Sequence, residues 1–279
     1  MSLLSSFLAA NSRASRAIEA WLPALFRRHL HTVYKYQVAD LVNRQPRQVV
    51  LDIGAGKDCP FLPFVHEPRA HLIIGVDCSE HELRANTHLD TKIVADAAAN
   101  RFPFEDGSAD IVVSRSVVEH IRDNQVFFAN CARVLRPGGI LVHTFPCRFA
   151  PFSLINQFMP NVVARRLLAY FQPQWKDECG FIAYYDHCYF SAIRSLLDRN
   201  GLQNPQFTFR YYQSIYFDFF LPLYVLMLLY DLGTWFLGIR NLACGILVTA
   251  TRNGGYPTGV ERVHHALHES ATSKWEDSP

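Results

Sequence analysis

Apolar residues Ile18, Trp21, Leu22, Leu25 and Phe26 recur at i, i+3, i+4, i+7 and i+8, the period of a helix with one buried face. Arg13, Arg16, Arg27 and Arg28 surround that stripe, and Pro23 is expected to kink the helix or to start it. Between residues 48 and 145 the rhythm changes. Short apolar runs recur at Val49-Val50-Leu51, Leu72-Ile73-Ile74-Gly75-Val76, Ile93-Val94, Ile111-Val112-Val113 and Ile140-Leu141-Val142. They are β-branched and do not alternate, which predicts strands covered on both faces. Helices are expected at Ser79–Ala85 and Asp123–Leu135, and this alternation predicts a parallel α/β sheet.

Residues 146–190 carry eleven aromatics among loops and short helices. Ser191–Asn200 reads as a helix closed by Gly201. Gln206–Tyr212 alternates like a strand, and Asn241–Thr251 reads as a further, apolar one. Between them lies a strongly apolar insertion, Ser214–Arg240, in which Pro222 and Gly233 predict a bent helical hairpin. Its charge-free run between Asp218 and Asp231 is 12 residues, too short to span a bilayer. A helix apolar all round must be buried or in lipid. The chain thus divides into an N-terminal helical segment (1–47), a core (48–145), an aromatic insertion (146–190), the end of the sheet (191–252) and a loose tail (253–279).

The chain has 279 residues, 19% of them charged and 49% hydrophobic, with a formal net charge of +2. That length allows one large or two small domains, and the composition excludes disorder and a nucleic-acid binder driven by bulk basicity. The charge is uneven: residues 1–50 hold seven Lys/Arg against Glu19 and Asp40, a local net of +5. Such a segment suits a solvated helical face or attraction to anionic lipid. The seven cysteines form no C-x-x-C pair, the pattern of reduced cytoplasmic thiols. A signal peptide is not expected, because the first apolar stretch lacks a basic start and is broken by Ser5, Ser6 and Asn11. His264, His265 and His268 have no partner set of Cys or His, so no metal site is expected.

The chemistry gathers at the strand ends. The run Val49-Val50-Leu51-Asp52-Ile53-Gly54-Ala55-Gly56 ends a buried strand in an acid and a Gly-x-Gly turn, which lets backbone approach a ligand. The next strand ends in Asp77, placed to grip ribose hydroxyls. The third ends in Asp96, followed by Phe102-Pro103-Phe104, a carboxylate for an adenine amino group beside apolar packing for its ring. Three acids on three successive strand ends point to an adenosine site.

These residues, in this order, resemble the class I S-adenosylmethionine-dependent methyltransferases of the type 11-like group. The resemblance continues through Ser108-Ala109-Asp110-Ile111-Val112-Val113-Ser114, Val118-Glu119-His120-Ile121 and Arg133-Val134-Leu135-Arg136-Pro137-Gly138-Gly139, and covers about a third of the chain. It implies a Rossmann-like doubly wound sheet, mostly parallel, with an antiparallel last strand. It also implies S-adenosyl-L-methionine as cofactor, with Gly54 and Gly56 along its methionine part, Asp77 on the ribose, Asp96 and Ala97 on the adenine, and Ser114 near the sulfonium. Asp52, Ala55 and Cys78 complete the expected set. Asp58 stands where many members have a third glycine, and is expected to cap the next helix or meet the cofactor ammonium. The missing glycine also counts against a nicotinamide-dependent dehydrogenase.

A hydroxyl acceptor needs a base. His120, after the fourth strand, and His187, beside Asp186, are the candidates, against plain packing roles for both. His143 on the fifth strand is a further one. Residues 146–190 fall where family members place substrate-covering insertions. The leading expectation is O-methylation of a glycan or lipid-linked precursor near a membrane, by a cytoplasmic protein at its inner face. An isoprenoid-quinone or lipid methyltransferase, or an inactive cofactor-binding scaffold, is the alternative. The acceptor is a small molecule or lipid-linked, nucleic acid is not a partner, and residues 214–240 serve either a peripheral membrane contact or a homodimer.

Overall fold

The computed structural model describes residues 3–159 and 182–254. Strands β1 (Val49–Ile53), β2 (Leu72–Asp77), β3 (Thr91–Val94), β4 (Ala109–Arg115), β5 (Leu135–Pro146), β6 (Leu202–Arg210) and β7 (Gly245–Arg252) form one sheet. Their order is β3-β2-β1-β4-β5-β7-β6, so the order reverses between β1 and β4. β1 to β5 pair in parallel, and β7 runs antiparallel to both β5 and β6. This is the expected Rossmann-like doubly wound sheet, with its antiparallel last strand.

The helices are α1 (Leu3–Glu19), α2 (Ala24–Arg27), α3 (Leu30–Asn43), α4 (Glu80–Ala85), α5 (Asn124–Val134), α6 (Pro151–Phe158), α7 (Phe190–Arg199) and α8 (Leu221–Phe236). On one face of the sheet, Tyr34, Val38 and Val42 of α3 pack with Val50, Ile111, Val113 and Val142. Their i, i+4, i+8 spacing is a helical stripe, and the strand residues alternate out of the pleat to meet it. On the other face, Leu51, Ile53, Val112 and Leu141 pack with Phe127, Phe128 and Cys131 of α5 and with Ile193 and Leu197 of α7. The unbroken apolar runs of the sequence are strands covered twice.

Two boundaries follow from local chemistry. The Asp123 side chain accepts hydrogen bonds from the amides of Gln125 and Val126 and so starts α5. Gly201, at φ 67, closes α7 as expected. At the opposite end of the sheet from the strand tips, Asp110 accepts the Val49 amide at 2.7 Å and pairs with Arg136, tying the starts of β1, β4 and β5.

The helices and insertion correct several expectations. Of the two outcomes expected at Pro23, the structure takes the helix start: α1 ends at Glu19 and Pro23 caps α2, so the stripe from Ile18 to Phe26 is split between two helices, because the proline ring removes an amide that a continuing helix needs. No α-helix follows β1, so Asp58 caps none. Pro60, Pro63 and Pro68 reduce that stretch to two short 3₁₀ turns, Leu62–Phe64 and Pro68–Ala70. The expected hairpin in 214–240 is one helix, α8. Pro222 sits in its first turn, where a missing amide costs nothing, and Gly233 is absorbed in its interior. Strand β7 starts at Gly245 rather than Asn241, since Arg240–Leu242 forms a 3₁₀ turn, and β6 runs from Leu202 to Arg210. Pro137-Gly138-Gly139 belongs to the irregular start of β5, where its register with β4 shifts between Ala109 and Ile111.

α8 is not apolar all round. It buries Tyr224, Leu228, Asp231 and Thr234 along one stripe. Asp231 accepts the amides of Gln213 and Ser214, each at 2.8 Å, and burial raises its pKa to about 6. Asp218 accepts from Ser12 at 2.7 Å and lies 3.7 Å from Arg16, fastening α1 to the insertion. The insertion's two internal acids are both latches. Among the described residues, no helix is long and apolar enough to cross a membrane.

Candidate active site at the strand ends

In open α/β sheets ligands bind beyond the carboxyl ends of the strands, where the strand order reverses. That point lies between β1 and β4. The turn after β1 is held by backbone: the amides of Gly54 and Ala55 both bond the Val76 carbonyl, at 2.7 and 3.1 Å. Gly54 has φ +70, and a Cβ there would meet Val117 Cγ2 at 2.1 Å, so only glycine fits between the two loops. Gly56 has φ +50 with nothing within 4 Å of the same position, which leaves an open approach to backbone.

Asp77 ends β2 with both carboxylate oxygens engaged. Oδ2 accepts the Gly56 amide at 3.0 Å and Oδ1 accepts the Ser79 amide at 2.8 Å. Each oxygen keeps a second lone pair, so a diol can still be gripped. Asn86 closes the other side of the turn, donating to the carbonyls of Ala55 and Gly56. Sequence reasoning missed Asn86, whose only signal is its position just past α4. Beyond β3, Asp96 is exposed and accepts the Ala98 amide through Oδ1. Ala97 stands beside it, and the Cys78 thiol pKa is pushed up by partial desolvation and then by the neighbouring Asp77.

Asp52 and Ser114 are placed more deeply. Asp52 is 4% exposed, and burial raises its pKa to about 7 against the pull of Arg115. Ser114 is wholly buried, with Oγ 2.7 Å from His143 Nδ1. His143 is buried between Phe127 and Phe128, and burial lowers its pKa to about 3. It is neutral, and it is hydrogen-bonded to Ser114.

The two candidate bases meet in one stitched segment. Glu119 O accepts the amides of Tyr184 and Tyr185, and Asn124 donates to the Asp186 carbonyl at 2.6 Å. His120 Nδ1 lies 3.0 Å from the Ile182 carbonyl, which only accepts, so Nδ1 carries the proton and Nε2 keeps a lone pair. Burial lowers the pKa of His120, and it raises that of its buried neighbour Glu119 to about 8. His187 Nδ1 lies 2.7 Å from Asp186 Oδ1, while Asp186 Oδ2 accepts the Asn124 amide. His187 and Tyr185 take φ 53 and 52, left-handed values that non-glycine residues adopt under constraint.

Among the described residues no group of His, Cys, Asp or Glu is placed to hold a metal ion. His264, His265 and His268, the tail from 255 and residues 160–181 of the aromatic insertion lie outside the described residues.

Residues 51–143 match the family of methyltransferase domains. An uncharacterized methyltransferase from Mycobacterium sp. (strain KMS) is 31% identical over 108 residues, 38% of this chain and 42% of its own length. A ubiquinone biosynthesis O-methyltransferase from Mesorhizobium japonicum is 29% identical over 147 residues, 45% of this chain and 57% of its own length. The chain spans between a third and three fifths of the length of such curated relatives. Phosphoethanolamine N-methyltransferase 2 from Haemonchus contortus, solved with phosphomonomethylethanolamine and S-adenosylhomocysteine, superposes with a TM-score of 0.50. Its identity is 16%, over 78% of this chain and 52% of its own, so that likeness is one of fold.

Proposed function

With residues 51–143 as a class I S-adenosylmethionine-dependent methyltransferase domain, we propose that this chain methylates an oxygen of a glycan or lipid-linked precursor held near a membrane. The observation that carries the methyl-transfer reading is the Gly54–Gly56 turn clasped by Asp77 where the strand order reverses. A turn that a Cβ would fill, beside a carboxylate with lone pairs to spare, fits the cofactor. S-adenosylmethionine supplies an activated methyl group, so the chain's main work is positioning. Asp77 holds the ribose, Asp96 and Ala97 the adenine, and Gly54, Ala55 and Gly56 line the methionine part, with Asp52 and Ser114 beneath them. His120, its Nδ1 proton fixed on Ile182 and its Nε2 3.8 Å from Glu119 Oε1, is the first base for the acceptor's proton; His187, oriented by Asp186, is the second in the same segment.

A thermal melt tests the cofactor. S-adenosylhomocysteine at a hundred times its Kd adds about 2.7 kcal/mol to the folded state, and NAD adds nothing. An equal response to NAD, or none to S-adenosylhomocysteine, removes the methyl-transfer reading.

The membrane part rests on α8 and its neighbours. Val225, Leu226, Leu229 and Phe236 follow helical spacing on the side of α8 away from its buried stripe, and Phe236 is 87% exposed. α1 and α2 lie against this insertion and expose Leu4, Phe7 and Leu25, with Trp21 at 89% in the turn between them. Arg13, Arg27 and Arg28 belong to the same N-terminal segment, which suits an anionic lipid surface. The described cysteines are all free, in keeping with a cytoplasmic location. The full chain is expected to sediment with vesicles containing anionic lipid, and L226S/L229S/F236S to stay in solution. A wild-type chain that stays in solution, and dimerises through this face instead, overturns the membrane contact.

An isoprenoid-quinone acceptor is the second reading, favoured by the ubiquinone biosynthesis O-methyltransferase among the relatives.

A further inference from the structure

The proposed cofactor residues occupy the ends of β1, β2 and β3, with Ser114 beneath them on β4, and a different set of groups lines the strand ends from β4 to β6. Arg115 ends β4, Arg210 ends β6, and Ser116 follows Arg115 with φ 56, its amide bonded to the Thr144 carbonyl of β5. His29 and His31 come over them from the start of α3. His31 Nε2 lies 3.3 Å from Ser116 Oγ, and Arg210 Nη1 lies 3.1 Å from both ring nitrogens of His29. The two imidazoles are 6.2 Å apart. α3 is 14 residues long, with no acid in its first turn and no side-chain cap on its first amides, so its positive end faces the same place.

Among the described residues no carboxylate forms an ion pair with either arginine, although Asp52 lies within electrostatic reach of Arg115. Arg115 makes no hydrogen bond or ion pair among the described residues, and the nearby carboxylate, Asp52, is held by burial to a pKa of about 7. Arg210 is 8% exposed, yet its buried Nε has no partner. Burying the Arg210 Nε–H without an acceptor is unfavourable, and with it the half-buried Arg115, two histidines and a helix start converge here. Desolvation and then Arg210 lower the pKa of His29 to about 4; desolvation and then Arg115 do the same to His31. Both rings are therefore neutral near pH 7 and contribute as neutral hydrogen-bonding groups.

We propose that His29, His31, Arg115, Ser116 and Arg210 bind a phosphoryl group carried by the methyl acceptor. The assignment to the acceptor rests on the methyl-transfer reading above. Donors spread from β4 to β6 outnumber what one carboxylate accepts and suit the three oxygens of a phosphate. Arg210 stands four strand spacings from β1, about 19 Å at the usual interstrand distance, which separates it from the cofactor turn.

The probe is inorganic phosphate, titrated calorimetrically into the full chain saturated with S-adenosylhomocysteine. R210Q is expected to weaken phosphate roughly tenfold or more, the loss of one charge-assisted contact, while S-adenosylhomocysteine affinity stays within about twofold. H29Q, at the surface, is expected to weaken phosphate as well and keeps the test open if R210Q folds poorly. Phosphate affinity unchanged in both variants overturns the site. Phosphate that displaces S-adenosylhomocysteine overturns it too, by assigning the row to the cofactor's carboxylate. If S-adenosylhomocysteine fails to bind while phosphate still depends on Arg210, the methyl-transfer reading falls and the anion site stands without its acceptor. Glycerol 3-phosphate and vesicles of phosphatidylcholine with phosphatidate then separate a soluble phosphorylated acceptor from a lipid headgroup: one must bind more weakly to R210Q, and equal binding of both to wild type and variant overturns the proposal.

Discussion

Replacing Gly54 with alanine is expected to lower the free energy of unfolding by about 2–4 kcal/mol and to remove S-adenosylhomocysteine binding. Two effects add. An L-residue at φ +70 is strained, and its Cβ would lie 2.1 Å from Val117 Cγ2, so the loops after β1 and β4 must part. The crevice at the reversal of strand order is formed by those loops, so the same movement opens the site. Gly56→Ala is the control: its φ is +50 but nothing lies within 4 Å, so backbone strain acts alone and stability falls by about 1 kcal/mol. Urea melts with an unchanged m-value measure both. Equal losses for the two variants contradict the contact with Val117.

Asp77→Ala is expected to raise the Kd for S-adenosylhomocysteine about 10- to 100-fold. The carboxylate offers charge-assisted hydrogen bonds worth about 1.5–3 kcal/mol. It also holds the Gly56 amide at 3.0 Å, so its removal loosens the turn as well as the ribose grip. Asp77→Asn keeps an acceptor but sets an amide group against a backbone N–H, and an intermediate affinity is expected. Calorimetry on the three proteins decides, and an unchanged Kd in Asp77→Ala removes the ribose assignment.

The strands were legible because burial on both faces writes itself as β-branched runs, and the strand-end acids because glycine and aspartate mark the turns after them. Asn86 was not legible, since one polar residue past a short helix carries no period and no motif. The missing helix after β1 was hidden by the family pattern, although Pro60, Pro63 and Pro68 were there to be weighed. Asp218 and Asp231 read as interruptions of an apolar run, yet their carboxylates are what dock it: buried hydrogen bonds to distant amides have no sequence spacing. The same holds for His29 and Arg210, 181 residues apart and brought to 3.1 Å only by the last strands of the sheet. His120 and His187 were singled out separately; their shared segment comes from hydrogen bonds across 62 residues of chain.

The Asp231 latch makes α8 a lever. Its carboxylate holds the amides of Gln213 and Ser214, and Gln213 is three residues beyond Arg210. The outer side of the same helix carries Leu226, Leu229 and Phe236 in solvent. A load that tilts or lifts α8 is therefore delivered through two short hydrogen bonds to the tip of β6, with little slack in between, because Gln213 is itself wholly buried. Contacts on the exposed side of the helix thus connect, through Asp231, to the chain three residues past Arg210.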